Sequence, residues 1–359
     1  MSTALTAEKT QVLHELQALV RMGRLNDWWN QDMTTALIRA AGINDMPDAQ
    51  WVALPWYGPL ELWRHDPTVS EIMVNGPGRE VYIVQNGMMI PTGVKVHRSW
   101  IEFAQRQIAV RSGRCTVDEP HAWTHKGKPS HFMEGTADRL MRCALSREPC
   151  SADGPSITVR VLPSEWRTLD SLIQNEVLPR QAAQLLQYAL DHKVSILVAG
   201  STGSGKTTLM AALLRAVGET KRVVIMEESQ ELPPLDNSVS MEVNQSGGTF
   251  SDLVSLSLRQ RPDLIVVGEI RGPESLAMLQ AASTGHPGIA SIHANDTQSA
   301  LKNLERMACT MGAEPSIVRG MMTSPAVPLV VCHIGRYGGR RMVGAIDEVE
   351  MMSANGNVG

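Results

Sequence analysis

Gly200, Gly205, Lys206 and Thr207 stand at the fixed positions of G-x-x-x-x-G-K-[ST], with Ser201, Thr202, Gly203 and Ser204 between them and Thr208 next. Gly203 and Gly205 can take backbone angles that turn consecutive N–H groups toward one point, an arrangement suited to phosphate oxygens. A helix starting near Lys206 adds unpaired N–H groups and the positive end of its dipole. Lys206 would then reach the β- and γ-phosphates, and the Thr207 hydroxyl would hold Mg²⁺. The flanks agree with this reading. Val194, Ile196 and Val198 form an apolar β-branched run before the loop, and Leu209, Met210, Ala212, Leu213 and Leu214 an apolar helical stretch after it. A glycine turn that binds nothing would need neither the lysine nor the threonine. The stretch predicts a nucleoside triphosphate site.

Three further apolar runs end in polar groups. Residues 221–226 lead into Glu227, Glu228 and Glu231, residues 264–267 into Gly268 and Glu269, and residues 288–292 into His293. In an open parallel sheet the carboxyl ends of the strands form one crevice, so these groups can converge on the phosphate loop. Of Glu231 and Glu269, one carboxylate would support Mg²⁺ and the other would orient or deprotonate the attacking water. Arg259, Arg261 and Arg271 flank the Glu269 strand. Each is either a charge partner for a phosphoryl-transfer transition state or a salt-bridge partner.

These groups need a frame of strands and helices. From residue 172 onward strand and helix patterns alternate, which predicts an α/β domain with a mostly parallel sheet wrapped by helices. One helix is expected over 172–192 and another over 251–260, with Ser251 as its cap. Upstream, residues 6–22 have the apolar spacing of an amphipathic helix, and 26–41 form a second helix. Residues 59–162 mix short helical and strand patterns, with a helix over 97–112 and a loop over 114–130. All eight tryptophans fall between Trp28 and Trp166, ahead of the phosphate loop. The expected organisation is a helical extension (1–48), a small α/β domain (49–162), a linker (163–171), the nucleotide domain (172–352) and a disordered tail (353–359).

At 359 residues and 43% hydrophobic, the chain has material for about two domains with sizeable cores. Its net charge of -4 offers no bulk basic field for nucleic acid. The five cysteines contain no C-x-x-C pair, and His121, His125 and His131 lack compact ligand spacing, so neither zinc nor a disulfide framework is expected. No apolar run approaches the ~18 residues of a membrane span, and the N-terminus has no signal-peptide core.

LRQRPDLIVVGEIRGPESL followed by ASTGHPGIASIHANDTQSALKNLERM resembles the secretion ATPases of type IV secretion, type II secretion and type IV pili. RVVIMEESQEL is similar to their acidic box, TGHPGIASIHAN to their histidine box, and TVSEIMVNGPGREVYI to the start of their N-terminal domain. The resemblance implies a RecA-like C-terminal ATPase domain, a smaller α/β N-terminal domain, a homohexameric ring, and ATP with Mg²⁺ as ligands. It assigns Lys206 and Thr207 to phosphate and magnesium, Glu269 to the Walker B glutamate, Glu231 to the attacking water and His293 to sensing nucleotide state. His286 is the other histidine of that box. Arg259 matches an arginine before the Walker B strand, and Arg142 and Arg160 match arginines that close over the phosphates. Glu228 stands where the family usually has Asp.

The missing C-x-x-C pairs and the wording of the histidine box resemble the type IV secretion branch, including conjugative-transfer ATPases. Inner-membrane components of such a machine are the implied partners, at the cytoplasmic face, with no direct nucleic-acid contact and no transmembrane segment. A type IV pilus assembly or retraction motor is the alternative. A RecA-like hexameric helicase or DNA translocase is a further one, against which the acidic balance weighs.

Overall fold

The computed structural model describes residues 57–349, apart from 126–127, 139–140, 163–165, 244–247, 273 and 327. The helices expected over 6–22 and 26–41 and the tail 353–359 lie outside the described residues. The chain divides into two compact units, Met1–Ser164 and Glu165–Gly359.

The first unit is built on strands β1 (Val69–Val74), β2 (Glu80–Gln85), β3 (Met88–Lys95), β6 (Phe132–Ala137), β7 (Met141–Ser146) and β8 (Ser156–Val161), in the order β3-β2-β1-β8-β7-β6. All neighbours are antiparallel. Alternating burial along β1 and β8 turns Ile72, Val74, Ile157 and Val159 to one face. Helix α1 (Arg98–Arg111), which His97 caps, joins that face through Trp100, Ile101, Phe103 and Ile108. Buried Gln105 donates to Ser146 O at 2.9 Å and Ser156 O at 3.0 Å, satisfying its amide where β7 ends and β8 begins. The expected loop over 114–130 also carries a two-stranded ribbon, β4 (Thr124–His125) with β5 (Lys128–Pro129).

The second unit holds a seven-stranded sheet. Its strands are β9 (Ser195–Ala199), β10 (Val223–Glu227), β11 (Ser238–Glu242), β12 (Leu264–Ile270), β13 (Gly288–Ile292), β14 (Leu329–Tyr337) and β15 (Arg340–Glu348), in the order β11-β10-β12-β13-β9-β14-β15. Neighbours are parallel except for β14 and β15. Every residue of β9, β10 and β13 is buried, which is why these runs read as continuously apolar rather than alternating. Helices α2 (Leu169–Gln174), α3 (Arg180–Asp191) and α4 (Lys206–Arg215) share one core with Ile196, Val198, Cys332 and Ile334. Helices α5 (Phe250–Ser257), α6 (Glu274–Ser283), α7 (Thr297–Cys309) and α8 (Pro315–Met322) share another with Leu197, Val224, Ile265 and Val331. The sheet is thus covered on both faces.

Two local expectations are corrected. The single helix over 172–192 is two helices, because Asn175 ends α2, Glu176 takes a left-handed φ of 57°, and Pro179 cannot donate the bond a continuous helix requires. The cap of α5 is Thr249 rather than Ser251. Its side chain accepts from Asp252 N while the Asp252 carboxylate accepts from Thr249 N, so each closes an orphan donor of the first turn. Among the described residues no helix is long and apolar enough to cross a membrane.

Candidate functional site: one edge of the parallel sheet

The phosphate loop joins β9 to α4. Gly203 and Gly205 have φ of 70° and 110°, left-handed values that a side chain would strain. A Cβ on Gly200 would sit 2.5 Å from Ser204 Oγ and closer still to Ile334 O, so only glycine lets the chain leave β9 here. Lys206 opens α4 and is buried, its ammonium donating to Gly200 O at 2.9 Å and Ser201 O at 3.1 Å. Burial lowers its pKa and nearby Glu269 opposes the shift. The Ser204 hydroxyl, 1% exposed, has no hydrogen-bond partner among the described residues. A loop with left-handed glycines at 203 and 205, an ammonium resting on carbonyls and an unsatisfied buried hydroxyl fit a polyphosphate. Thr207 and Thr208 are exposed at the same helix start.

Glu269 lies on β12 at a bulge, since the pairing with β13 slips by one residue between Val267 and Ile270. Such a bulge re-aims a side chain at a strand end. Glu269 Oε1 is 2.6 Å from His293 Nε2, and Oε2 accepts from Arg271 Nε at 2.8 Å. Arg271 also donates to Glu228 Oε2 at 2.8 Å, and Glu231 lies within electrostatic range of the same guanidinium. Burial and the Lys206 charge push the His293 pKa down, outweighing Glu269. His293 Nε2 is in close contact with Glu269 Oε1, a buried oxygen that makes no hydrogen bond among the described residues.

Two carboxylates that sequence reading left without a role shape the loops around this network. Glu227, the last residue of β10, accepts from Glu231 N at 3.0 Å and Leu232 N at 3.1 Å. Burial pushes its pKa up to about 8. A Cβ on Gly268 would sit 3.0 Å from Glu227 Cγ, so this glycine makes room for the buried carboxyl. Glu274, 4% exposed, accepts from Gly272 N at 2.7 Å and from Arg271 N. The signal available in the sequence was a carboxylate a few residues from flexible backbone, which many loops share.

The sequence profile of the Type II/IV secretion system proteins matches residues 58–337. The chain belongs to this family. A conjugal transfer protein TrbB of Rhizobium radiobacter is 30% identical over 301 residues, covering 79% of this chain and 85% of that protein. The X-ray structure of the Legionella pneumophila ATPase DotB has the same fold at 20% identity, with a TM-score of 0.57 over 83% of this chain and 80% of that one. A pilus retraction motor PilT with bound ADP has it at 19% identity, with a TM-score of 0.55 over 80% and 81%.

In this family member Arg259 and His286 have no recorded contact with the Glu269 network among the described residues. Arg259 is exposed in a short 3-10 segment, Leu258–Gln260, and makes no hydrogen bond or ion pair among the described residues. His286 precedes β13 whereas His293 follows it. The two histidines of one box thus stand at opposite ends of a five-residue strand, and His286 Nδ1 meets Thr284 Oγ1 at 3.2 Å. Arg142 and Arg160 belong to the first unit and oppose each other across β7 and β8. Glu71 on β1 opposes Arg160 in turn, with Oε1 3.9 Å from Nη2.

Proposed function

We propose that this chain is a Mg²⁺-dependent ATPase that powers a type IV secretion machine of the conjugative kind. It works as a homohexamer at the cytoplasmic face of the bacterial inner membrane, bound to components of that machine. The RecA-like motor runs to residue 352 and takes in all of α2 (Leu169–Gln174), so the linker expected over 163–171 to the domain at 49–162 ends before Thr168, the cap of that helix. The observation that carries the reading is the convergence of Lys206, Glu269, His293, Arg271 and Glu228 at one edge of the parallel sheet. The 30% identity to a conjugal transfer protein favours conjugation over a pilus motor.

Phosphate oxygens take the place of Gly200 O and Ser201 O as partners of Lys206, and give the Ser204 hydroxyl an acceptor. The loop residues Gly200 to Thr208 enclose the phosphates. Thr207 and Glu269 would hold Mg²⁺, which would offset phosphate charge. Glu231 takes a proton from water as the water oxygen bonds to the γ-phosphorus. The bond from that phosphorus to the β–γ bridging oxygen breaks, leaving ADP and phosphate. His293, on Glu269, senses whether the γ-phosphate is present. Arg259, Arg142 and Arg160 contribute positive charge to the phosphates, as the resemblance assigns.

ATP turnover of the purified chain tests this. We expect Lys206→Ala to abolish nucleotide binding or turnover, and Glu269→Gln to bind ATP while hydrolysing it at least about a hundredfold more slowly. Undiminished turnover by Glu269→Gln would remove the assignment, and strong stimulation by single-stranded DNA would favour a translocase.

A further inference from the structure

We propose that Arg336 and Arg341 form the subsite for the purine end of the nucleotide whose phosphates Lys206 binds; the inference rests on the ATPase reading above. Strand β14 runs parallel beside β9, with His333 level with Ala199, so its carboxyl end emerges next to the phosphate loop. Contact there is direct, since a Cβ on Gly205 would sit 3.2 Å from Ile334 Cδ1. Ile334 pairs with Val343 of β15, and both belong to the core that contains α4. Two residues further along each strand, on that same face, Arg336 pairs directly with Arg341.

Like charges directly opposite on neighbouring strands destabilise a hairpin. Both arginines are exposed, and neither makes an ion pair or hydrogen bond among the described residues. Arg340 at the tip does have a counter-ion, Glu176 at 2.8 Å. Tyr337 faces the other way, its hydroxyl 2.9 Å from His333 Nδ1 and its ring over Gly344, where a Cβ would collide with it. Arg336 and Arg341 thus stand on the opposite face of the hairpin from Tyr337, the face that Ile334 and Val343 share with the core of α4.

The direction of the nucleotide follows from strand order. Glu269 and His293 mark the γ-phosphate end, on β12 and β13, to one side of β9. The nucleoside leaves the loop on the other side, where β14 is the neighbour. A guanidinium plane stacks on a purine face, and its charge favours the adjacent α-phosphate.

The test is calorimetric titration of the full chain and its Arg336→Ala/Arg341→Ala variant with ATP and with inorganic tripolyphosphate. We expect the variant to bind ATP roughly tenfold more weakly and tripolyphosphate within about twofold of the parent. Arg336→Lys, which keeps charge but loses the plane, should weaken ATP alone, and serves if the double variant does not fold. Unchanged ATP affinity overturns the inference. Equal loss for both probes also overturns it, since the pair then acts on phosphate charge only. So does loss of binding to phosphatidylglycerol vesicles with ATP affinity intact. A parent chain that binds neither probe overturns the ATPase reading instead, an outcome distinct from the others.

Discussion

Glu269 and His293, on adjacent strands of the same sheet, meet with Oε1 and Nε2 2.6 Å apart. The carboxylate is therefore gripped from two sides, because Arg271 holds its other oxygen. We expect His293→Ala to lower kcat at least about tenfold while ATP affinity stays within about twofold. Steady-state turnover beside equilibrium nucleotide binding checks this, and an unchanged kcat would show the contact to be structural. The pH dependence has a definite sign. His293 is held neutral by burial and Lys206, so acid must place a third cation beside Lys206 and Arg271. Turnover should fall on acidification below the ordinary histidine range, and His293→Asn should lose that acid limb.

Glu227 gives a stability prediction. Burial pushes its carboxyl up to about 8 in the folded chain, from an ordinary 4.5. The folded state therefore keeps a proton that the unfolded chain releases between those values. The resulting stabilisation is complete below about 4.5 and is lost as pH rises through 8. Glu227→Gln should flatten this dependence. Its Tm, measured by calorimetry from weakly acid to alkaline pH, should fall less than that of the parent. A parallel fall in both proteins would mean that Glu227 is ionised in the fold.

Thr249 gives a smaller one. Removing the hydroxyl leaves Asp252 N at the start of α5 without its acceptor, so Thr249→Ala should cost about 1 kcal/mol and Thr249→Ser only a fraction of that. Urea unfolding of the second unit's signal measures both. Equal midpoints for the alanine variant and the parent would return the capping role to Ser251.

The parts of the site that depend on chain-local pattern were legible in the sequence. The phosphate loop is one such part, because strand, glycines, lysine and helix are contiguous from Val194 to Leu214. Glu269 and His293 were legible for a related reason, since each ends an apolar run and parallel strands deliver such ends to one edge. Glu227 and Glu274 were not, because only the folded loop shows that a carboxylate turns back onto backbone N–H groups. Thr249 was within reach, as T-x-x-D precedes the apolar run, but Ser251 offered a rival cap nearer to it. The split of α2 from α3 was also written at Pro179, and the long apolar periodicity obscured it. The facing of Arg336 on Arg341 needed the register of β14 on β15, which no local pattern carries.

Glu227 and Glu274 each grip main chain rather than side chain. The shape of the two loops is thus specified separately from the reactive groups they display. Glu228, Glu231 and Arg271 can be exchanged for other side chains without redrawing the backbone that presents them. That makes this edge of the sheet a replaceable cassette, in which the charges around Glu269 can be retuned by substitution while the scaffold keeps its form.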